Sequence, residues 1–287
     1  MKQYAIFTDS SADLPISMTE ELDIGVLQLS VTLEGEATLP NDKVDVKSFY
    51  ESLRAKKSAT TSTATLDQFL KAFEPVLAEG SDILYLGFSS GLSGTYNAGV
   101  VAAQELSEKY PERKIYTVDT LCASLGEGLL VWTAANMRRD GADIETVRDF
   151  AEDQKLSLCH WFTVDDLFFL KRGGRVSTAT AVLGSMLAIK PVMHVDDAGK
   201  LINIAKARGR KDAIAQLFFK VRDTATDIAE QTVFISHGDC ADDAQALADR
   251  IKAELGVKTV VIDYVGPVIG AHSGPGTLAV FFYGTQR

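Results

Sequence analysis

Four short apolar runs in the first half of the chain, Tyr4–Phe7, Ile24–Leu33, Ile83–Phe88 and Ile115–Val118, have the length and composition of buried strands. Between them apolar positions recur at helical spacing. Leu66, Phe69, Leu70, Phe73 and Leu77 fall on one face, and Thr65 with Gln68 three residues later has the spacing of a capping box, in which each residue satisfies the other's free backbone donor. That pattern predicts a helix packed on a sheet. Further helices are expected over about 122–139 and, with more charge, over 144–155. Strands alternating with helices predict an α/β fold.

From about residue 157 the pattern changes. Strand-like runs now follow one another, at Ile189–Val195, Leu201–Ile204, Thr232–Ser236, Thr259–Val265 and Leu278–Tyr283. Only two helices are expected among them, over 211–222 and over 241–255, the second with Leu247, Ile251 and Leu255 in a stripe. The change predicts two domains, 1–160 with α/β character and 161–287 with α+β character. A chain of 287 residues is long enough for both, since single cores stop growing at about 250–300 residues. No internal repeat and no low-complexity segment interrupts them.

Composition narrows the chemistry. With 46% hydrophobic and 24% charged residues the chain can bury a proper core. A net charge of −10 excludes a broad electrostatic grip on nucleic acid, so an anion must be bound locally, by helix N-termini, hydroxyls and a few cations. Cys122, Cys159 and Cys240 are odd in number and far apart, which predicts neither disulfides nor zinc and fits a reducing cytoplasm. Met1-Lys2-Gln3-Tyr4 runs straight into a strand pattern without an apolar leader, and no apolar stretch approaches ~18 residues. A cytoplasmic protein without a transmembrane segment is expected, which leaves only transient contact with a membrane open.

Four clusters of hydroxyl and glycine residues fall where strands give way to helices: Thr8–Ser11, Thr60–Thr65, Gly87–Tyr96 and Gly266–Gly276. Each alone is accounted for by helix capping and turn geometry. Together they could form a small anion site from backbone N–H groups and hydroxyls, suited to a carboxylate or phosphate. Gly87-Phe88-Ser89-Ser90-Gly91 also satisfies G-x-S-x-G, which makes a serine hydrolase with Ser89 as nucleophile, and with His272 late enough to serve it, the alternative reading. Other motifs are incomplete. Gly126 and Gly128 lack the third glycine of a dinucleotide fingerprint and fall in a helical pattern where close packing explains them. No P-loop occurs, and His160, His194, His237 and His272 have no metal-ligand spacing. Lys171-Arg172-Gly173-Gly174-Arg175 reads as a helix C-terminus with cations on its negative end. The run from Lys206 to Lys211 is the strongest cationic stretch, and one of its arginines could reach an anion at the domain junction.

These clusters, in this order, resemble the DegV family, whose better-understood members are fatty-acid-binding subunits of bacterial fatty acid kinase. The motifs run from Thr8-Asp9-Ser10 through Ser89–Tyr96, Val118-Asp119-Thr120, Leu170–Arg175 and Ile189-Lys190-Pro191 to Gly270–Gly276, and so span essentially the whole chain. The resemblance implies an amino-terminal three-layer α/β domain and a smaller two-layer α+β domain that buries lipid, with the carboxylate near their junction. It implies carboxylate ligands at Thr61 and Ser62, at Ser93 with the adjoining Gly94, and at His272, and leaves Ser89 a turn residue. Arg208 would take part in phosphoryl transfer. One departure stands out: the family's Thr-Ser-Gln-Pro is Thr61-Ser62-Thr63-Ala64 here, and without the proline the helix start is expected to be less fixed.

A carrier of this kind is energetically reasonable. Burying about fifteen methylenes at ~0.8 kcal/mol each offers roughly 12 kcal/mol before association costs. The carboxylate must then be hydrogen-bonded, because an unpaired buried charge costs several kcal/mol. The expected ligand is a long-chain fatty acid, with no cofactor and no metal. With neither a P-loop nor a kinase-type glycine loop, phosphorylation of that carboxylate would need a separate ATP-binding kinase subunit as partner.

Overall fold

The computed structural model of the protein describes residues 4–177 and 189–287; the start read at Met1–Gln3 lies outside them. Strands β1 (Tyr4–Asp9), β2 (Ile24–Leu27), β6 (Asp82–Gly87) and β7 (Ile115–Asp119) form a parallel sheet in the order β2-β1-β6-β7. Alternation along each strand feeds two cores. Phe7, Ile83 and Tyr85 point to one face, where helices α3 (Leu66–Ala78) and α4 (Thr95–Lys109) contribute Phe69, Phe73 and Leu106. Ile6, Leu84 and Leu86 point to the other, against α5 (Leu125–Arg139) and α6 (Ile144–Gln154). Helices on both faces are what a parallel sheet requires.

A six-stranded mixed sheet follows, in the order β10-β9-β8-β13-β11-β12. Its strands are β8 (Leu158–Thr163), β9 (Ile189–Val195), β10 (Leu201–Arg208), β11 (Thr232–His237), β12 (Thr259–Tyr264) and β13 (Leu278–Tyr283). Trp161, Ile235 and Phe282 face α8 (Arg210–Thr224) and α9 (Ala241–Leu255), whereas Phe162, Phe234 and Phe281 face back onto α5. α5 is therefore a layer shared by both sheets. Its glycines make the contact close: a Cβ at Gly126 would lie 2.1 Å from His160 Nε2, and one at Gly128 2.7 Å from the Ala12 carbonyl.

Three expectations are corrected. The run Ile24–Leu33 is not one strand: β3 (Ser30–Leu33) leaves the parallel sheet and joins β4 (Thr38–Pro40) and β5 (Ala59–Ser62) in a small antiparallel sheet. The break falls at Leu29, whose N–H donates to Ser10 Oγ at 3.0 Å while its carbonyl accepts from Asn41 N, so neither group is free for a ladder. The amino-terminal part also contains the short helices α1 (Ile16–Glu21) and α2 (Val46–Arg54), and the carboxyl-terminal part contains more helices than the two expected over 211–222 and 241–255. α7 (Leu167–Arg172) is the helix whose carboxyl end Lys171–Arg175 predicts, whereas α10 (Pro267–Ser273) forms inside what reads as a glycine-rich loop. Pro267 occupies the first turn, where a missing N–H costs nothing, and Gly274 at φ +79 ends the helix. The missing family proline, finally, does not leave the start of α3 loose. Thr65 and Gln68 form the full capping box, Gln68 Nε2 donates to the Gln28 carbonyl at 3.0 Å, and Ala64 is buried in the apolar core.

Candidate functional site

In the parallel sheet the chain runs from β1 outward to β2 on one side and later to β6 on the other, so the loops at their carboxyl ends diverge. Such a switch point leaves a crevice. Asp9 shapes it: its Oδ1 accepts from Ser11 N at 3.1 Å, and its Oδ2 accepts from Tyr85 Oη at 2.9 Å and from Phe88 N at 3.0 Å. These bonds direct the segment after β6 over the crevice, where Phe88, Leu92 and Ser93 form one wall of a cavity of about 130 Å³. The mixed sheet forms the opposite wall with Phe162, Ala279 and Phe281, residues of its α5-facing side. Ser124 joins the two, its Oγ donating to Asp13 Oδ2 at 2.6 Å and lying 3.0 Å from Ser236 Oγ.

The walls are mostly apolar, and the polar groups cluster. Thr61 on β5 and His272 in the last turn of α10 are bonded, Oγ1 to Nε2, at 2.8 Å. Ser62, Thr63, Ser93, Ser273 and Arg175 line the same cavity. The His272 ring packs against Gly173, where a Cβ would sit 2.1 Å from Nδ1, so only glycine leaves room for it. His272 Nδ1 and the buried Ser273 Oγ have no hydrogen-bond partner among the described residues. Arg175 is half-buried; it donates to the Gly173 carbonyl and, at 3.0 Å, to the Leu92 carbonyl, and no acidic side chain pairs with it among the described residues. Burial pushes the guanidinium down from its ordinary value.

Of the residues expected from sequence, Thr61, Ser62, Ser93 and His272 therefore meet around one cavity. Gly94 is exposed as the residue before α4 and is not part of the cavity wall. Arg208 ends β10 as an exposed residue whose N–H donates to Asp212 Oδ2 at 2.7 Å, and it does not line the cavity either. Arg175 was missed. A helix end accounts for Lys171 and Arg172, but not for a further arginine placed beyond two glycines.

Ser89 is not set up as a nucleophile. It is fully buried, its Oγ donates to the Gly199 carbonyl at 2.8 Å and accepts from Gly91 N, and no histidine is among its partners. It also lacks the strained positive φ of a sharp strand-to-helix turn, since α4 begins only at Thr95. This geometry gives the hydrolase alternative no support. Among the described residues no group of three metal-ligating side chains occurs, and no helix is long and apolar enough to cross a membrane.

Burial, with Arg175 and Arg172 adding to it, holds His272 down to about 4 from its ordinary 6.5. The ring is neutral at pH 7 and can both donate and accept. The unfolded chain takes up a proton near pH 6.5, whereas the folded one does so only near 4, so this residue costs stability as pH falls through that window, by up to about 3 kcal/mol. Urea unfolding at pH 7 and pH 4.5 is expected to show a larger acid loss for the wild type than for His272→Gln; parallel losses would mean that the ring is not held neutral.

A family model described as an uncharacterised protein, DegV family, matches residues 3–285. A DegV domain-containing protein of Clostridium perfringens is 48% identical over 289 residues, covering 100% of this chain and 99% of that one. One from Streptococcus pyogenes is 38% identical, with 98% of each covered. Among solved structures, one described as fatty acid binding of a DegV family protein from Thermus thermophilus superposes with a TM-score of 0.87 at 30% identity, covering 99% of this chain and 100% of that one. A DegV lipid-binding protein from Thermotoga maritima gives 0.85 at 31% identity, with 99% of each chain covered.

Proposed function

Because the chain belongs to the DegV family, we propose that it binds a long-chain fatty acid, with the acyl tail in the apolar cavity and the carboxylate against Thr61, Ser62, Ser93 and His272. The observation that carries this reading is Arg175. A half-buried guanidinium with no acidic partner among the described residues, lining an otherwise mostly apolar cavity, calls for an anion attached to a hydrophobic body. The neutral His272 adds a hydrogen bond without adding charge, and the unpartnered Ser273 Oγ offers another. Solved relatives described as binding fatty acid or lipid support the same ligand class. Extraction of the purified protein with organic solvent, followed by mass spectrometry, is expected to release about one fatty acid per chain; an empty protein that also fails to take up added palmitate would sink the proposal.

The bound carboxylate is proposed to be phosphorylated in the cytoplasm by a separate kinase subunit, this chain serving as carrier and not as enzyme. Exposed Arg208 is the candidate to meet the incoming phosphoryl group or the partner, because a guanidinium can bridge two oxygens in a way an ammonium cannot. With ATP and magnesium the protein alone is expected to leave its fatty acid unchanged. Adding a cognate kinase should yield acyl phosphate, and Arg208→Ala should lower that transfer more than it lowers fatty-acid binding. Acyl phosphate formed from labelled ATP by the protein alone would refute this division of labour.

A further inference from the structure

The G-x-S-x-G segment has no role in the proposed carboxylate site, yet Ser89 makes five hydrogen bonds. Its N–H donates to the Cys122 carbonyl at 3.0 Å, and its carbonyl accepts from Leu92 N at 3.0 Å and Ser93 N at 3.1 Å. Its Oγ accepts from Gly91 N at 3.2 Å and donates to the Gly199 carbonyl at 2.8 Å. One buried residue thus ties together the segment after β7, the segment after β6 and the turn between β9 and β10. The residues flanking that turn, Val195 and Leu201, are themselves cavity walls.

The fit of the turn is backbone against backbone. A Cβ at Gly91 would lie 2.5 Å from the Ala198 carbonyl, and a Cβ at Gly199, which has φ +70, would lie 2.1 Å from Ser89 Oγ. The turn is preformed on its own side, because Asp196 Oδ1 accepts from Ala198 N at 3.0 Å and from Lys200 N at 2.8 Å. Among the described residues the Ser89 Oγ to Gly199 carbonyl bond is the hydrogen bond that joins the turn to the segment after β6, and it lies at a glycine-sized gap.

We infer that Ser89 and Gly91 act as a latch for the β9–β10 turn, and that this contact sets how slowly a bound acyl chain leaves the cavity. The inference rests on the reading that the cavity holds an acyl chain. Ser89 is a positioning residue: it acts on the ligand through Val195 and Leu201, and its loss affects exit more than the carboxylate contacts.

The test loads the full chain with a fluorescent long-chain fatty acid and follows its release into phosphatidylcholine vesicles by stopped flow. Ser89→Ala, Gly91→Ala and Asp196→Ala are each expected to speed release by roughly fivefold, the worth of about one buried hydrogen bond, with uptake changed less than twofold. Asp196→Asn keeps the accepting oxygen and should restore wild-type release; Ser90→Ala, at the exposed neighbour, should match wild type. The Ser89→Ala/Asp196→Ala double variant should release no faster than the faster single, since both act on one contact. In the ligand-free protein, hydrogen exchange at the Gly199 amide should quicken in Ser89→Ala and Gly91→Ala. If the wild type takes up no fatty acid, the functional reading fails, and the Gly199 exchange rates still decide the latch. Release in Ser89→Ala within twofold of wild type, additive effects in the double variant, or unchanged Gly199 exchange would overturn it.

Discussion

Arg175→Met is expected to weaken fatty-acid binding by on the order of 100-fold or more. Removing one partner of a desolvated charge pair costs about 2–5 kcal/mol, because the other charge is left buried without compensation. Met keeps most of the side chain's apolar length, so the loss reports the guanidinium more than its packing. The same group also donates to the Leu92 and Gly173 carbonyls, and its removal therefore loosens the wall as well. The two effects separate with the ligand. Measured by fluorescence displacement, the variant should lose most of its affinity for a long-chain acid and little for the matching fatty alcohol, which carries no charge to pair. Equal losses for acid and alcohol would mean that Arg175 only braces the wall. Arg175→Lys should fall between the wild type and Arg175→Met, keeping the charge but not the planar fork that donates to the Gly173 and Leu92 carbonyls.

Asp9→Ala is expected to be the most destabilising single change near the site, by about 3–5 kcal/mol. The carboxylate is fully buried and accepts from three donors, Ser11 N, Tyr85 Oη and Phe88 N, each of which would be left without a partner. A buried donor left unsatisfied costs about 1–3 kcal/mol, and water entering the space recovers part of that. Burial pushes Asp9 upward from the usual carboxylate range, and the hydrogen bonds from Phe88 N, Ser11 and Tyr85 oppose that shift. Asp9→Asn should cost less, since one oxygen can still accept while the amide must turn its N–H groups toward another donor. Urea denaturation midpoints check both. A loss below about 1 kcal/mol for Asp9→Ala would show that these donors find replacements, and that the course of the chain into Phe88 does not depend on this residue.

The two predictions concern residues that the sequence presented very differently. Asp9 lies in a hydroxyl-rich cluster after an apolar strand, and its place at a strand end follows from the run Tyr4–Phe7. Arg175 follows a helix end that accounts for Lys171 and Arg172, and nothing in its neighbours announces a cavity. His272 and Thr61 are 211 residues apart and bond directly. The family resemblance paired them; spacing could not.

What the sequence determined by itself is the local physics. Alternation in β1 and β6 sends Ile6 and Phe7, or Leu84 and Tyr85, to opposite faces, and the Thr65–Gln68 box starts α3 whatever lies nearby. These features depend on neighbours within a few residues, so they can be read along the chain. What only the tertiary structure decided depends on which segments meet. Ser10 takes the Leu29 N–H and splits the run Ile24–Leu33, the Gly199 carbonyl takes the Ser89 hydroxyl, and the Leu92 carbonyl holds a half-buried Arg175 at the cavity wall. In each case the deciding partner is distant in sequence, and a hydrogen bond or a buried charge acquires its meaning only from what surrounds it in space.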